Sequence, residues 1–547
     1  MCIPLILICL SNQSAAKDIA AVVTAHPLAT SAGYAILEQG GNAFDAAVAV
    51  SAVLAVVEPY ASGLGGGGFW LLHDAKTGRD IMIDGREVAP SGASEKMYLD
   101  DNGQPIPGKS LNGPIAAGIP GTPAALVHLT EKYGKLDLTQ NLSSAIKLAK
   151  DGFKIDQRFA RSLQHHEQKL AKYADSAKIF LPHGKPPVAG QLLRQPQLAT
   201  TLASIAKSGH RGFYQGTVAQ TLVRSVKKAG GVWVERDLSN YQVVERVPVQ
   251  FNYRHARITT ASLPSAGGLT LAQALNILEI LLFHEKEVYD QAHLIVEALR
   301  LTYKDRAELL GDNDFIQVPT ERLASKAYAR NQAALIDFDR AGKRLLEQPE
   351  LKEGGETTHF SIIDGSGNRV AATMSINTFF GSGFVAGNTG VLLNNEMDDF
   401  AMGEHIPNVF GLYGSRANII SPGKRPLSSM SPTFIEDNKG ILIVGTPGGS
   451  RIISMVLLVI LDYVNNAQTD PEKLVAKPRF HHQYLPDFIQ IEPDAFDSDW
   501  ITALQSRGHE VRDIKRKWGN MQLIYFDKKN QRSIAANDPR GILDTHY

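Results

Sequence analysis

Lys352-Glu353-Gly354-Gly355-Glu356 followed by Thr357-Thr358-His359-Phe360-Ser361-Ile362-Ile363 is the stretch that decides how this chain is read. A charged, glycine-bearing segment runs straight into a pair of threonines and then into what reads as a core strand. A threonine hydroxyl inside a chain is a poor nucleophile, because no base comes with it. A cut just before Thr357 changes that. The new α-amine has a pKa near ~8, so its neutral form can take the hydroxyl proton from within the same residue. Thr-Thr by itself also fits an ordinary loop-to-strand junction, and the residues downstream decide between the two. Thr357 to Asp364, a Gly365-Ser366-Gly367-Asn368 turn, and Arg369 to Ile376 predict a β-hairpin with a buried first strand.

The bulk composition excludes several classes. The chain has 547 residues, with 56 basic and 56 acidic side chains, so there is no electrostatic footprint for nucleic acid or an anionic membrane. Both cysteines, Cys2 and Cys9, fall in the first ten residues, which rules out disulfides and cysteine-ligated zinc in the remainder. Ile3 to Leu10 is a short apolar stretch, and Ser14-Ala15-Ala16 offers small residues where a signal peptidase cuts. Residues 1–16 therefore read as a signal segment, with a mature start near Lys17 and a periplasmic or secreted protein, although no Lys or Arg precedes the run and Pro4 interrupts it. Lipidation of Cys9 is disfavoured by Leu7-Ile8 before it. Elsewhere the longest apolar run, Ile452 to Leu461, is too short to span a bilayer.

Residues 43–57, AFDAAVAVSAVLAVV, are apolar on nearly every face and predict a helix buried between other elements. Glu58-Pro59 stops it. Phe69-Trp70-Leu71-Leu72 and Ile81-Met82-Ile83-Asp84 predict paired strands around a Lys76-Thr77-Gly78 turn. The middle, about 120 to 345, reads as mostly helical, with Asp290 to Leu310 an amphipathic helix ending at Gly311. Residues 343–356 carry seven charges in fourteen positions and read as an exposed, flexible connection. Short strands are expected at Gly390 to Leu393 and Ile441 to Val444, then Gly445-Thr446-Pro447-Gly448-Gly449-Ser450-Arg451 leads into an apolar helix.

Several features invite chemistry. The glycines at 63–68 lack the Gly-Lys-Ser/Thr of a phosphate loop, so close backbone packing is the better reading. His165-His166 and His481-His482 have no third ligand at a metal spacing and read as surface or structural histidines. No Gly-x-Ser-x-Gly elbow is present. Gly448 and Gly449 before a helix could aim their N–H groups at an oxyanion, or form an ordinary glycine loop. Arg86 could grip a carboxylate bidentately, or pair with Glu87. Asn394-Asn395-Glu396-Met397-Asp398-Asp399 could bind an ammonium, bind calcium, or cap a loop.

Taken together these motifs resemble the γ-glutamyltransferase family of N-terminal nucleophile hydrolases. The most specific pieces are Thr357 to Ser361, Leu392 to Phe400, Arg425-Pro426-Leu427-Ser428-Ser429-Met430-Ser431-Pro432, and Gly445 to Arg451. Ser62 to Phe69 and Pro478-Arg479-Phe480-His481-His482-Gln483 are similar as well, so the resemblance spans essentially the whole chain after the leader. It implies an α+β fold, a four-layer αββα sandwich, self-cleaved between Glu356 and Thr357 into a large subunit (17–356) and a small one (357–547) that stay together as one folded unit. It implies no cofactor and no metal. Thr357 would attack the γ-amide of glutathione or another γ-glutamyl donor, and water, an amino acid or a peptide would release the ester. Ser375 would bond to the nucleophile. Gly448 and Gly449 would form the oxyanion hole. Arg86, Ser428 and Ser429 would hold the donor's α-carboxylate, and Asn377, Glu396 and Asp399 its α-ammonium. Many bacterial relatives carry a gating tyrosine in the loop 401–414, where this chain has Phe410, which keeps the ring but loses a hydroxyl bond. A related self-cleaving acylase is the alternative, and Asp399 argues against it. A relative that cleaves or anchors poly-γ-glutamate would need an open groove. An inactive binding protein would have no use for intact Thr357, Ser375, Gly448 and Gly449.

Overall fold

The structure is a computed structural model describing residues 19–342, 355–403 and 406–541. The expected signal segment with both cysteines, and residues 343–354 of the charged connection, lie outside the described residues.

Two six-stranded sheets form the centre. In chain order their strands are β1 (Ala21–Thr24), β2 (Gly67–Asp74), β3 (Arg79–Gly85), β4 (Val244–Arg246), β5 (Val249–Tyr253), β6 (Ala256–Thr260), β7 (Gly355–Ile363), β8 (Arg369–Thr378), β9 (Thr433–Glu436), β10 (Gly440–Gly445), β11 (Gln522–Asp527) and β12 (Arg532–Asn537). One sheet runs β1-β7-β8-β2-β3-β4 and the other β12-β11-β10-β9-β6-β5. All their pairings are antiparallel.

Side-chain alternation along the strands builds the layers. Trp70, Leu72, Ile83, Phe360, Ile362, Val370 and Ala372 pack outward with the helix Ala43–Val57 (α1). Their neighbours Phe69, Leu71, Met82, Ile363 and Ala371 pack inward with Phe434, Leu442 and Ile443 of the second sheet. Helices Gly267–Ile280 (α2), Val288–Leu309 (α3) and Ile452–Asn466 (α4) share this second core. The result is helix, sheet, sheet, helix. Every residue of α1 is buried, and its start is fixed by a capping box between Asn42 and Asp45. Both sheets interleave strands from either side of Glu356: β7 and β8 lie between β1 and β2, and β9 pairs with β6.

The middle region is mostly helical as expected, with β4, β5 and β6 inside it. One expectation needs correction. Gly390 to Leu393 is not a strand: Leu392 bridges Val385 and Leu393 bridges Gly65 as isolated pairs. The backbone at 392–393 is needed there as a close wall for Gly65, where an added Cβ would come within 2.0 Å of the Leu392 carbonyl oxygen. Gly66, Gly67 and Gly68 likewise abut the carbonyls of Ser375, Gly85 and Thr373, so this glycine run is packing. The histidine pairs are engaged internally: His481 Nδ1 lies 2.8 Å from Ser454 Oγ, His482 pairs with Asp487, and His166 stacks on Phe379.

Candidate active site

The hairpin β7–β8 places Thr357 directly opposite Ser375. The ladder then breaks between Ser375 and Thr378, and Asn377 adopts a left-handed φ of 76°. That bulge turns the Asn377 N–H onto Ser375 Oγ at 2.7 Å. Ser375 thereby becomes a hub. Thr357 Oγ1 donates to its oxygen at 3.3 Å, and its own hydroxyl donates to the Glu356 carbonyl oxygen at 3.1 Å. One hydroxyl thus touches both the would-be nucleophile and the carbonyl it would attack. His359, two residues along the same face, is pushed down to about 3 by burial and is neutral between Thr373 and Ser361.

The residues before and after Thr357 are also anchored. Arg158 Nη2 pairs with Glu356 Oε2 at 2.9 Å, and its guanidinium lies over the Tyr60 ring. Burial raises the Glu356 carboxyl, with Arg158 pulling the other way. Thr358 donates to buried Glu58 at 2.7 Å.

Beside Thr357 is a cavity of about 30 Å³ lined by Arg86, Arg306, Thr357, Ser375, Asn377, Glu396, Asp399, Phe410, Ser428, Ser429 and Gly449, among others. All of the substrate-head residues expected from the sequence therefore converge on one place. Arg86 is almost wholly buried and fully occupied. Its Nη1 meets Glu396 at 2.8 Å and Glu87 at 3.6 Å, its Nη2 meets Asp399 at 2.6 Å, and its Nε donates to the Pro426 carbonyl at 3.2 Å. Burial works against its charge, but Glu396, Glu87 and Asp399 outweigh that and hold it above its ordinary range. Burial pushes Glu87 up to about 8 and Glu396 well above the usual carboxylate range, against the pull of Arg86. Glu396 Oε1 has no hydrogen-bond partner. Three carboxyl groups share one guanidinium, and a second cation in the cavity would favour their charged forms. Within the acidic stretch, Asn394 and Asn395 instead tie down backbone at Gly65, Gly118 and Leu111, and Asp398 accepts from Ser110 and Val409.

Gly448 and Gly449 follow β10 with φ of 147° and 58° and lead through a tight turn into α4. Gly449 lines the small cavity, and the Phe410 ring lies over it. Gly448 lines a second cleft of about 820 Å³ together with Glu356, Arg158, Arg161, Arg516 and Lys517. The Glu356–Thr357 junction thus sits between a narrow charged cavity and a roomy basic cleft. Among the described residues no cluster of three or more His, Cys, Asp or Glu side chains could hold a metal ion.

Sequence reasoning named Glu87 as a partner of Arg86, which it meets at 3.6 Å, but missed Arg306, Arg158 and the part Glu58 plays here. Arg306 lies near the end of α3, where the helical pattern suggests a surface residue, yet its Nη2 donates to Ser429 Oγ at 3.0 Å. Arg158 and Glu58 stand far from Thr357 in sequence and carry no local motif.

The family described as gamma-glutamyltranspeptidase matches residues 29–545. The chain is 41% identical to the Glutathione hydrolase proenzyme of Escherichia coli (strain K12), over 96% of this chain and 90% of that protein. A crystal structure of cephalosporin acylase from Bacillus halodurans superposes with a TM-score of 0.85 at 28% identity, covering 96% of this chain and 95% of the other. The crystal structure of Helicobacter pylori gamma-glutamyltranspeptidase gives a TM-score of 0.55 at 41% identity, over 57% of this chain and 90% of the other.

Proposed function

The chain belongs to the γ-glutamyltranspeptidase family, and from that premise we propose that it cuts itself between Glu356 and Thr357 and then carries γ-glutamyl groups on Thr357. It is a γ-glutamyltransferase and glutathione hydrolase, with an αββα N-terminal nucleophile fold. The observation that carries the residue assignment is Ser375 bridging Thr357 Oγ1 and the Glu356 carbonyl.

In the first reaction Thr357 Oγ1 attacks the Glu356 carbonyl carbon. Ser375 accepts from the attacking hydroxyl and donates to the carbonyl oxygen. The C–N bond breaks, the nitrogen leaves as the Thr357 α-amine, and an ester joins Glu356 to Thr357. Water opens the ester, leaving a Glu356 carboxylate and a free hydroxyl. The interleaved sheets keep residues 17–356 and 357–547 together afterward.

In the second reaction the α-amine is the base. Thr357 Oγ1 attacks the γ-carbonyl of glutathione or a related donor, with the developing oxyanion on the Gly448 and Gly449 N–H groups. The amine leaves into the roomy cleft with the proton. Water, an amino acid or a peptide then attacks the glutamyl ester. Asn377, Glu396 and Asp399 receive the donor's α-ammonium, and Arg86, Ser428 and Ser429 its α-carboxylate, with Arg86 also paired to Glu396 and Asp399. An acylase acting on an uncharged side chain would leave this buried charge unpaired. The apolar run Ile3 to Leu10 and the small residues after it support export, to the periplasm or outside the cell.

The test is to incubate purified protein with glutathione and glycylglycine and to measure glutamate and γ-glutamyl-glycylglycine by mass spectrometry. Both products are expected. Neither appearing, with a cephalosporin side chain being cleaved instead, would hand the site to the acylase reading.

A further inference from the structure

The turn that follows Ser375 is strained, and a lysine holds it from outside. Asn377, Phe380, Gly381 and Gly383 have φ of 76°, 58°, 51° and 73°. Phe380 is a bulky side chain in a region that favours glycine. Such a turn keeps its shape only where its surroundings impose it. Its near end is tied within residues 357–547: Asn395 Oδ1 accepts from the Thr378 N–H at 3.2 Å, and Asn395 Nδ2 donates to Thr378 Oγ1 at 2.8 Å. Its far end is tied by residues 17–356. Lys169, on the short helix Glu167–Ala171, donates from Nζ to Thr378 Oγ1 at 3.4 Å, to the Phe379 carbonyl at 3.1 Å and to the Gly381 carbonyl. Its stem lies against Gly383, where an added Cβ would come within 2.9 Å of Lys169 Cγ. Among the described residues no carboxylate pairs with Lys169, and burial, with Lys172 adding a like charge, pushes its ammonium down to about 7. Carbonyl oxygens of the turn stand where a counter-ion would otherwise be needed. From there the path to the nucleophile is short. The turn fixes Asn377, the Asn377 N–H reaches Ser375 Oγ at 2.7 Å, and Ser375 meets both Thr357 Oγ1 and the Glu356 carbonyl.

We propose that Lys169 is a positioning residue for both reactions of Thr357: by gathering the acceptors of the 378–381 turn it sets the Asn377 N–H, and through it the Ser375 hydroxyl. This rests on the reading of Thr357 as nucleophile and Ser375 as its partner. Lys169 touches no reacting atom. It stands on the large-subunit side and the turn on the small-subunit side, so the clamp joins the two sides of the cut. Three donors on one nitrogen suit three acceptors that converge on a point, which explains lysine rather than a planar arginine at this position.

Lys169→Met keeps the stem and removes the ammonium. Self-cleavage of the purified precursor, followed as one band becoming two, is expected to slow at least about tenfold, because a small displacement of Ser375 is enough for that. Protein that has been cut should lose kcat on γ-glutamyl 4-nitroanilide by a similar factor while KM stays within about twofold, since Glu396, Asp399, Ser428 and Ser429 still receive the donor. Residues 17–547 contain no cysteine, so Lys169→Cys places a single thiol there, and 2-bromoethylamine turns it into a thioether that ends in an ammonium. That treatment should restore most of both rates and leave wild-type protein unchanged. The cysteine variant, before and after treatment, carries the same comparison if the methionine variant does not fold. A residue that serves stability alone would lower the melting temperature of Lys169→Met and leave the rates of the folded protein as they were. That result, or a loss confined to KM, would overturn the assignment. Wild-type protein that cuts itself but turns over no γ-glutamyl donor would sink the γ-glutamyl reading, and the self-cleavage rates alone would then decide the part played by Lys169.

Discussion

The two sides of Thr357 differ in room and in charge. On the acyl side lies a cavity of about 30 Å³ in which Arg86, Glu396, Asp399 and Arg306 all face one small volume. On the leaving-group side lies a cleft of about 820 Å³ lined by Arg158, Arg161, Arg516 and Lys517. Narrow, charged and buried surfaces discriminate strongly, because each unpaired group costs free energy. Wide, solvated ones discriminate weakly. The molecule therefore reads the glutamyl head closely and whatever it is joined to loosely. The same division separates its two reactions. In the proposed self-cleavage Glu356 is held from the cleft side by Arg158, and in the proposed turnover the head is held from the cavity side. Thr357 and Ser375 belong to both.

Substitutions on each side should therefore fail differently. Ser375→Ala sits on the boundary and should damage both reactions. Loss of a hydroxyl that contacts nucleophile and carbonyl should slow self-cleavage by at least ~100-fold, followed as conversion of one band into two. Cleavage at the wild-type rate would make Ser375 a bystander. Asp399→Asn changes only the cavity side. Removing an ammonium partner in a buried site costs about 2–5 kcal/mol, so kcat/KM on a γ-glutamyl anilide should fall at least tenfold while self-cleavage proceeds. Glutaryl anilide, which lacks the ammonium, should suffer less. Equal losses on both donors would mean that Asp399 acts by holding Arg86 and not by reading the substrate.

Arg158→Gln tests the opposite side. Releasing Glu356 should loosen the scissile carbonyl from Ser375 and slow self-cleavage about tenfold. Protein that has been cut should turn over γ-glutamyl anilide within about threefold of wild type, since Glu356 is by then a chain end. A greater loss in the cut enzyme would place Arg158 in turnover and erase the division. The smallest effect is expected from Phe410→Ala. Uncovering Gly449 should raise KM for the donor by about threefold with little change in kcat, as expected for lost ground-state contact. A large fall in kcat would give the ring a part in the chemistry.

The legible part of this molecule was the part written in contiguous residues. Thr357 and the Gly448-Gly449 pair stand in contiguous motifs, and the family resemblance implied Ser375, which the structure sets opposite Thr357. Glu396 and Asp399 were implied by the resemblance and line the small cavity. The α1 stretch could only be a buried helix. What escaped notice depends on long-range packing. Arg306 lies on an amphipathic helix, where arginine ordinarily faces water, and it is buried only because α3 ends against Ser429, over a hundred residues later. Arg86 reads from the sequence as a carboxylate grip or a partner of Glu87, and its further pairing with Glu396 and Asp399, more than 300 residues away, leaves no local trace. The strands β5 and β6 have five residues each, and although Val249 to Tyr253 alternates apolar and polar as a strand does, so short a run is passed over beside the helices on either side.

The most direct measurement is the intact mass of wild-type protein and of Thr357→Ala, each with and without a γ-glutamyl donor. Wild type is expected as two chains, the smaller beginning at Thr357 and gaining one glutamyl group on that residue when donor is present. Thr357→Ala is expected as one chain that gains nothing. Cleavage of Thr357→Ala at the same bond, or a glutamyl group found on another residue, would contradict self-cleavage by Thr357 and its role as nucleophile.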